Sequence, residues 1–304
     1  MYLCRMHSTD TSLQRSLSFM VLASLMFALT GAIARLLKDD YASVHLVLFR
    51  NVIGVVFVLY WLYSKPPQQQ GGRPWLLLFR GFIGTMALYF FFYGVTTIGL
   101  PESITYQQSY PIFLALISSF WLGQRLNSAA WTAITVGFVG LCLIFVPKMS
   151  SHALEVKSHL IGIANLLMTG MAYLSIRGLT KYYDNRTIVL SFMLCGIAFP
   201  ILSMLLSTVY KGQTLDFIIA PPVVPQWADL PLILCLGIAA LLGQVFLTNA
   251  FSHRNTGLIG AVGYSNIVFS IFFGVMIGDA MPDTTSLIGI VLIIMSGVVI
   301  SMQK

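Results

Sequence analysis

Ten apolar runs, separated by short polar connectors, account for about two thirds of this chain: residues 17–37, 45–63, 75–98, 104–122, 131–146, 160–179, 188–209, 230–251, 258–277 and 287–302. Hydrocarbon is about 30 Å thick and a helix rises about 1.5 Å per residue, so a span needs about 20 largely apolar residues. Eight runs meet or approach that length, and the fifth and tenth are shorter. The pattern predicts an all-α, polytopic membrane protein with ten transmembrane helices. The connectors are turn-rich, as in Lys65-Pro66-Pro67-Gln68-Gln69-Gln70-Gly71-Gly72. The longest, 210–229, has room for a surface helix. The first run follows Arg5 and Arg15 like a secretory leader, but its length and the lack of a small-residue cleavage site make it a retained span.

Composition agrees with lipid as the solvent. Of 304 residues, 57% are hydrophobic and only 9% charged, against about 25% charged in a soluble domain; mean hydropathy is +0.85. The net charge of +7 does not indicate nucleic acid, because the basic residues stand singly between apolar runs. Their sidedness predicts orientation. With both termini cytoplasmic, Arg5, Arg15, Lys65, Arg73, Arg80, Arg125, Arg177, Lys181, Arg186, Arg254 and Lys304 lie inside. Only Arg35, Lys38, Lys148, Lys157 and Lys211 lie outside, and Arg50 falls within a span. The cysteines Cys4, Cys142, Cys195 and Cys235 are scattered, with no metal-ligand or disulfide spacing, and read as packed, reduced thiols.

The chain also repeats itself. Tyr110-Pro111-Ile112 running to Gly123-Gln124 matches Ser265-Asn266-Ile267 running to Gly278-Asp279, at an offset of about 155 residues. Gly81 precedes Tyr93-Gly94 as Gly237 precedes Asn249-Ala250, and Gly140 and Gly297 mark the two final runs. Five spans per half force the second half to enter the membrane the other way round. The repeat is therefore inverted, with a central site expected between the halves.

On Phe49-Arg50, Arg80-Gly81, Tyr110-Pro111-Ile112 and the small residues of the fifth and tenth spans, each half resembles an EamA domain of the drug/metabolite transporter superfamily. The ends Leu122-Gly123-Gln124 and Ile277-Gly278-Asp279 depart from that family's usual Leu-Gly-Glu. The resemblance implies a cytoplasmic segment 1–16, a first repeat 17–147, an outer connector 148–159 and a second repeat 160–304. It also implies carriage of small metabolites, with the last helix of each half serving packing or subunit contact in a monomer or homodimer.

Polar groups inside hydrocarbon are costly, so they mark candidate chemistry. Arg50 either holds a substrate carboxylate or phosphate through its planar fork or pairs with Glu102 on the same side. Glu102 follows Pro101 and is either a coupling group or a helix-start residue. Tyr106, Gln107, Gln108, Ser109 and Tyr110 precede Pro111 near mid-depth, with Glu102, Tyr106 and Tyr110 on one helix face and a kink expected at the proline. Tyr264, Ser265 and Asn266 hold the related place in the ninth span. Gln244, Thr248 and Asn249 do so in the eighth, and Asn165 and Tyr173 punctuate the sixth. Tyr89 and Tyr93 are spaced to stack on a planar substrate or to pack. His45 reads as an interfacial bystander, and Trp61, Trp75, Trp121, Trp131 and Trp227 as an aromatic belt.

The substrate-site candidates are therefore Arg50, Tyr89, Tyr93, Tyr106, Gln107, Tyr110, Asn249, Tyr264 and Asn266, with Glu102 as coupling candidate. No catalytic group, metal or cofactor is expected. The reading is a secondary transporter of the cell membrane, or of the inner membrane in a Gram-negative cell. It moves a small polar or zwitterionic solute, amino-acid-like or nucleoside-like, with S-adenosylmethionine among the fits. No phosphate-binding GxxxxGK[ST] loop occurs, which excludes direct ATP hydrolysis. The alternative is an integral-membrane enzyme acting on a lipid-linked substrate, but the five histidines lack recurrent acidic neighbours. A channel would need a ring of charges that is not legible.

Overall fold

The computed structural model describes residues 2–67, 71–113, 127–150, 156–210, 212, 215–251 and 256–302, and among them the fold is helical with no strand. The helices are α1 (Tyr2–Leu36), α2 (Ser43–Ser64), α3 (Pro74–Thr97), α4 (Leu100–Gln108), α5 (Ser128–Ser150) and α6 (Val156–Leu179). Then follow α7 (Asn185–Leu206), α8 (Leu230–Phe251), α9 (Thr256–Val262), α10 (Ser265–Met276) and α11 (Thr284–Met302). Of the ten spans expected, seven are described as segments long and apolar enough to cross a membrane, and Ser128–Ile144 and Thr284–Ile300, in the short fifth and tenth runs, are shorter apolar helices. The fourth span is described only through residue 113, so Trp121 and Gln124 lie outside the described residues.

Local chemistry sets the helix ends. Proline opens α3 at Pro74 and falls in the first turn of α4 at Pro101, where a missing N–H costs nothing. Gly99 joins α3 to α4 at φ 109°, a conformation that a side chain resists. Asp184 caps α7 by accepting a 2.8 Å bond from Arg186 N–H.

Both polar-rich spans are interrupted at matching places. The fourth breaks at Ser109, whose N–H bonds the carbonyls of Thr105 and Tyr106, just before the kink expected at Pro111. The ninth breaks at Gly263-Tyr264, between α9 and α10. The two breaks meet: Gln108 Nε2 and Ser24 Oγ both donate to the Gly263 carbonyl. That carbonyl, released by one broken span, is satisfied by a glutamine of the other.

In the bundle, α1 lies along α8 and α3 along α6; α2 packs on α7 and α8, and α3 on α7; α4 meets α6 and α10; α1 meets α10; and α5 pairs with α11. Small residues permit the close crossings. A β-carbon on Gly140 would stand 2.7 Å from the Gly289 carbonyl oxygen, where α5 crosses α11. Large apolar side chains such as Val56, Leu234 and Phe272 face outward, as expected beside lipid. Trp61, Trp75, Trp131 and Trp227 are likewise exposed. Among the cysteines whose surroundings are described, packing is not the rule: Cys142 and Cys235 are exposed, and Cys195 is partly covered, lying against Gly81.

Apart from Arg50 and Arg80, which lie inside the bundle, the described ion pairs gather at two ends. At one, Arg35 pairs with Asp279 at 3.0 Å, and Lys157 pairs with Asp216 beneath the Tyr93 ring. At the other, Arg186 donates to the Lys65 carbonyl at 2.7 Å, and Arg73 N–H bonds the Tyr183 hydroxyl at 3.2 Å. Each cluster gathers residues that the charge pattern assigns to one side. The connector 210–229 carries no long surface helix among its described residues. It holds one 3-10 turn, Trp227–Asp229, and is tied down by α2 and the residues before it. Tyr41 donates to Asp229 at 2.7 Å, Ser43 Oγ to the Phe217 carbonyl, and His45 Nε2 to the Pro221 carbonyl at 2.7 Å. His45 is thus a buried structural link; its Nδ1 accepts from Ala42 N–H, which leaves Nε2 as the donor.

Candidate functional site

A narrow cavity of about 40 Å³ lies among seven of the helices. Its lining comprises Phe27 and Thr30 of α1, Arg50 of α2, Arg80, Gly84, Ala87, Leu88 and Phe91 of α3, Gln107 of α4, Thr169, Ala172 and Tyr173 of α6, Phe192 of α7 and Gln244 of α8. An apolar wall with a few convergent polar groups is the usual makeup of a small-molecule site.

Two arginines dominate its electrostatics. Arg50 and Arg80 are each 2% exposed. Nε and Nη2 of Arg50, and Nε and Nη1 of Arg80, have no hydrogen-bond partner among the described residues. Aromatic faces surround them: Arg50 lies 5.9 Å from the centroids of both Phe92 and Phe192, and Arg80 lies 4.5 Å from Phe192. A desolvated cation–π contact is worth about 2 kcal/mol, whereas burying an ion costs several kcal/mol. The rings therefore offset only part of the penalty. Among the described residues, no carboxylate lines the cavity. Arg80 also needs Gly84, because its Nη1 fills the space that a β-carbon there would take.

Arg50 does not pair with Glu102; among the described residues it has no carboxylate partner. Glu102 instead lies by Gly99, near Asp279. Arg80, assigned by charge counting to the inner surface, sits inside the bundle, and this is the largest departure from the sequence reading.

The structure brings Arg50 and Gln107 to the cavity and leaves the other expected site residues outside its lining. Tyr106 bonds His159 Nδ1 at 2.6 Å, and its ring packs over Gly162. Tyr110 stands edge-on to Tyr173 at 5.2 Å and so backs the wall rather than forming it. The face carrying Glu102, Tyr106 and Tyr110 is therefore not the cavity face of α4, which belongs to Gln107. Tyr89 is buried and meets Ser203 Oγ at 3.1 Å, a packing role. Tyr93 belongs to the end cluster with Asp216 and Lys157. Asn249 accepts from Asn185 at 2.8 Å. Tyr264 lies against Gly297, and Asn266 is buried in α10. The sequence candidates omit Arg80, Thr30 and Thr169, while Tyr173 and Gln244 are read there as polar groups within spans but do not enter the site list. For Arg80 the signal was present, since it sits about two turns into its own helix, much as Arg50 does.

Residues 14–146 match the sequence model of the EamA-like transporter family. The chain is 29% identical to a Helicobacter pylori protein described as an uncharacterized transporter, over 94% of each chain. It is 28% identical to the pseudopaline exporter CntI of Pseudomonas aeruginosa, over 93% of this chain and 95% of that protein. It is 22% identical to an S-adenosylmethionine uptake transporter of Rickettsia conorii, over 81% and 77% respectively. One crystal structure superposes with a TM-score of 0.64 at 16% identity, covering 95% of this chain and 96% of that one, a likeness of fold.

Proposed function

With residues 14–146 an EamA domain as the premise, we propose that this multi-pass membrane protein is a secondary transporter that moves a small polar metabolite by alternating access. The observation that carries the reading is the cavity. It is ringed by seven helices, with polar side chains from α1, α2, α3, α4, α6 and α8 converging on it.

The helix contacts support a two-repeat, ten-span layout. Taking α1–α5, with α4 opening the fourth span, as the first five spans, and α6, α7, α8, α9–α10 and α11 as the second, the contacts exchange in pairs. The α1–α8 contact corresponds to α3–α6, α2–α8 to α3–α7, and α1–α10 to α4–α6, while α2–α7, α4–α10 and α5–α11 map onto themselves. An inverted repeat would produce this pattern, and the proposal then sets the substrate near the pseudo-two-fold axis. The positive-inside pattern puts the end bearing Lys65, Arg73 and Arg186 in the cytoplasm, with both termini there.

Of the sequence candidates, Arg50 and Gln107 are assigned to substrate contact, joined by Arg80 and Gln244. The named relatives include both an exporter and an uptake transporter, so direction is not carried over from them. Their names point away from an enzyme.

Reconstitution in proteoliposomes tests the reading. Saturable counterflow of a small metabolite is the expected result, with Gln107→Ala and Gln244→Ala raising the apparent KM in folded protein. Flux that never saturates would make the protein a channel instead.

A further inference from the structure

We propose that the cavity takes an organic anion with at least two carboxylate groups, one for each of the Arg50 and Arg80 guanidiniums; this rests on the transporter reading above.

Three observations converge. First, the two guanidiniums keep four buried N–H-bearing nitrogens without partners among the described residues. Arginine does not lose its proton in a protein, so neutralisation is no escape from that burial. Second, the described carboxylates lie at the bundle ends or in the connectors: Glu102 and Asp279 near Gly99, Asp216 with Lys157, Asp229 with Tyr41 and Asp184 with Arg186. None of them lines the cavity. Third, both guanidiniums reach the ring of Phe192, so one small molecule can engage both. Helices α2 and α3, joined by a short connector, are antiparallel neighbours. Arg50 and Arg80 each lie about two turns from the start of their helix, so they enter the cavity from opposite ends. Two anionic groups at separate ends of one skeleton fit that arrangement better than a single anion.

The rest of the lining selects the skeleton. Phe27, Leu88 and Phe91 call for carbon between the charges, and Gln107 and Gln244 can read a hydroxyl or amine along it. A solute with more positive than negative groups is disfavoured. S-adenosylmethionine is such a solute, with a sulfonium and an ammonium against one carboxylate. Phosphate shares the affinity of the guanidinium fork for anionic oxygens, so the test separates the two.

Purified full-length protein is scanned for its unfolding midpoint with citrate, succinate, L-glutamate, L-alanine, putrescine, inorganic phosphate and glycerol 3-phosphate. The expected result is a rise with the di- and tricarboxylates and none with alanine or putrescine. Arg50→Met and Arg80→Met should each raise the midpoint of the unliganded protein, because a buried, unpaired charge is replaced by a hydrophobe. Each should also weaken carboxylate binding on the order of a hundredfold. Arg80→Lys, which keeps the charge and loses the fork, should fall between. A lowered unliganded midpoint in both methionine variants would make the arginines structural and overturn the proposal. So would phosphate compounds binding where carboxylates do not, or no carboxylate-induced shift. Counterflow of the bound carboxylate then separates the two readings. Arg-dependent binding without exchange keeps the anion site and removes the carrier. Saturable exchange of a cation or neutral solute keeps the carrier and removes the anion site.

Discussion

Arg35, in the last turn of α1, and Asp279, just beyond α10, meet at 3.0 Å across 244 residues of chain. Arg35 Nη1 also donates to the carbonyls of Val95 and Thr96, at 2.9 and 2.8 Å, while Asp279 accepts from Leu100 N–H at 3.4 Å. One ion pair thus ties together the ends of α1, α3, α4 and α10. If the protein works by the alternating access proposed above, this end would have to part, and the pair would then latch the conformation seen here. The related position in the first half carries Gln124, which bears no charge.

A double-mutant cycle with Arg35→Gln and Asp279→Asn should give a coupling energy of about 1–3 kcal/mol, because the two side chains are 19% and 14% exposed, between surface and buried pairs. Added salt should reduce it only modestly. Thermal unfolding of the four proteins in detergent measures the coupling, and a value near zero would reduce the latch to an incidental contact.

Gly84 gives a way to move Arg80 without touching its charge. The Nη1 atom occupies the volume that a methyl group at position 84 would need, and the Phe192 ring lies 2.8 Å from the same point. Gly84→Ala should therefore displace the guanidinium and cost about 1–3 kcal/mol through overpacking. Substrate affinity should fall by about tenfold, since a misplacement of about 1 Å is already expensive in a site of this kind. Combining it with Arg80→Met should add little further loss of affinity. Strictly additive losses would mean that Gly84 acts elsewhere.

Tyr264 illustrates what the repeat reads correctly and what it does not. Its hydroxyl is buried without a partner among the described residues, and it lies where a β-carbon on Gly297 would stand. Tyr264→Phe should leave transport unchanged and hold or raise stability by up to about 1 kcal/mol, because it removes an unsatisfied group. Gly297→Ala should be destabilising, and Tyr264→Phe should relieve part of that loss. A transport defect in folded Tyr264→Phe would return this residue to the substrate site.

The runs of apolar residues located the helices well, because length and hydropathy alone decide which segments lipid accepts. Arg50 was legible for the same reason: a charge within an apolar run is costly and calls for a partner, and the pairing with Glu102 that the sequence also allowed does not form among the described residues. Arg80 was masked by its place six residues after Pro74, close enough to a connector to count toward sidedness. On α4, helical spacing grouped Tyr106 with Tyr110. Which stripe faces the cavity, theirs or that of Gln107, depends on where α6 packs, and spacing does not carry that information. Tyr89 and Asn249 stand outside the cavity lining for a related reason. A polar side chain in a span is satisfied as readily by a neighbouring helix, here through Ser203 and Asn185, as by a substrate.

At the opposite end, Asp184 offers a pH test that is independent of transport. Its Oδ1 accepts from the backbone N–H and Nε of Arg186, at 2.8 and 3.0 Å, and its Oδ2 accepts from Nη2 at 2.9 Å. The bonds from the Arg186 side chain hold the carboxyl below its usual 3.8, against an opposing push from partial burial. A depressed acid stabilises the fold fully above its unfolded value, and that contribution is lost as pH falls through the folded value. Asp184→Asn keeps a capping oxygen and gives up the charge. The wild type should therefore exceed the variant by about 0.5–1 kcal/mol near neutral pH, a modest figure because the pair is partly solvated. The gap should close below about pH 4. Unfolding midpoints of both proteins from pH 7 to pH 3 decide the matter, and a gap that stays constant across that range would show that Asp184 acts through its cap alone.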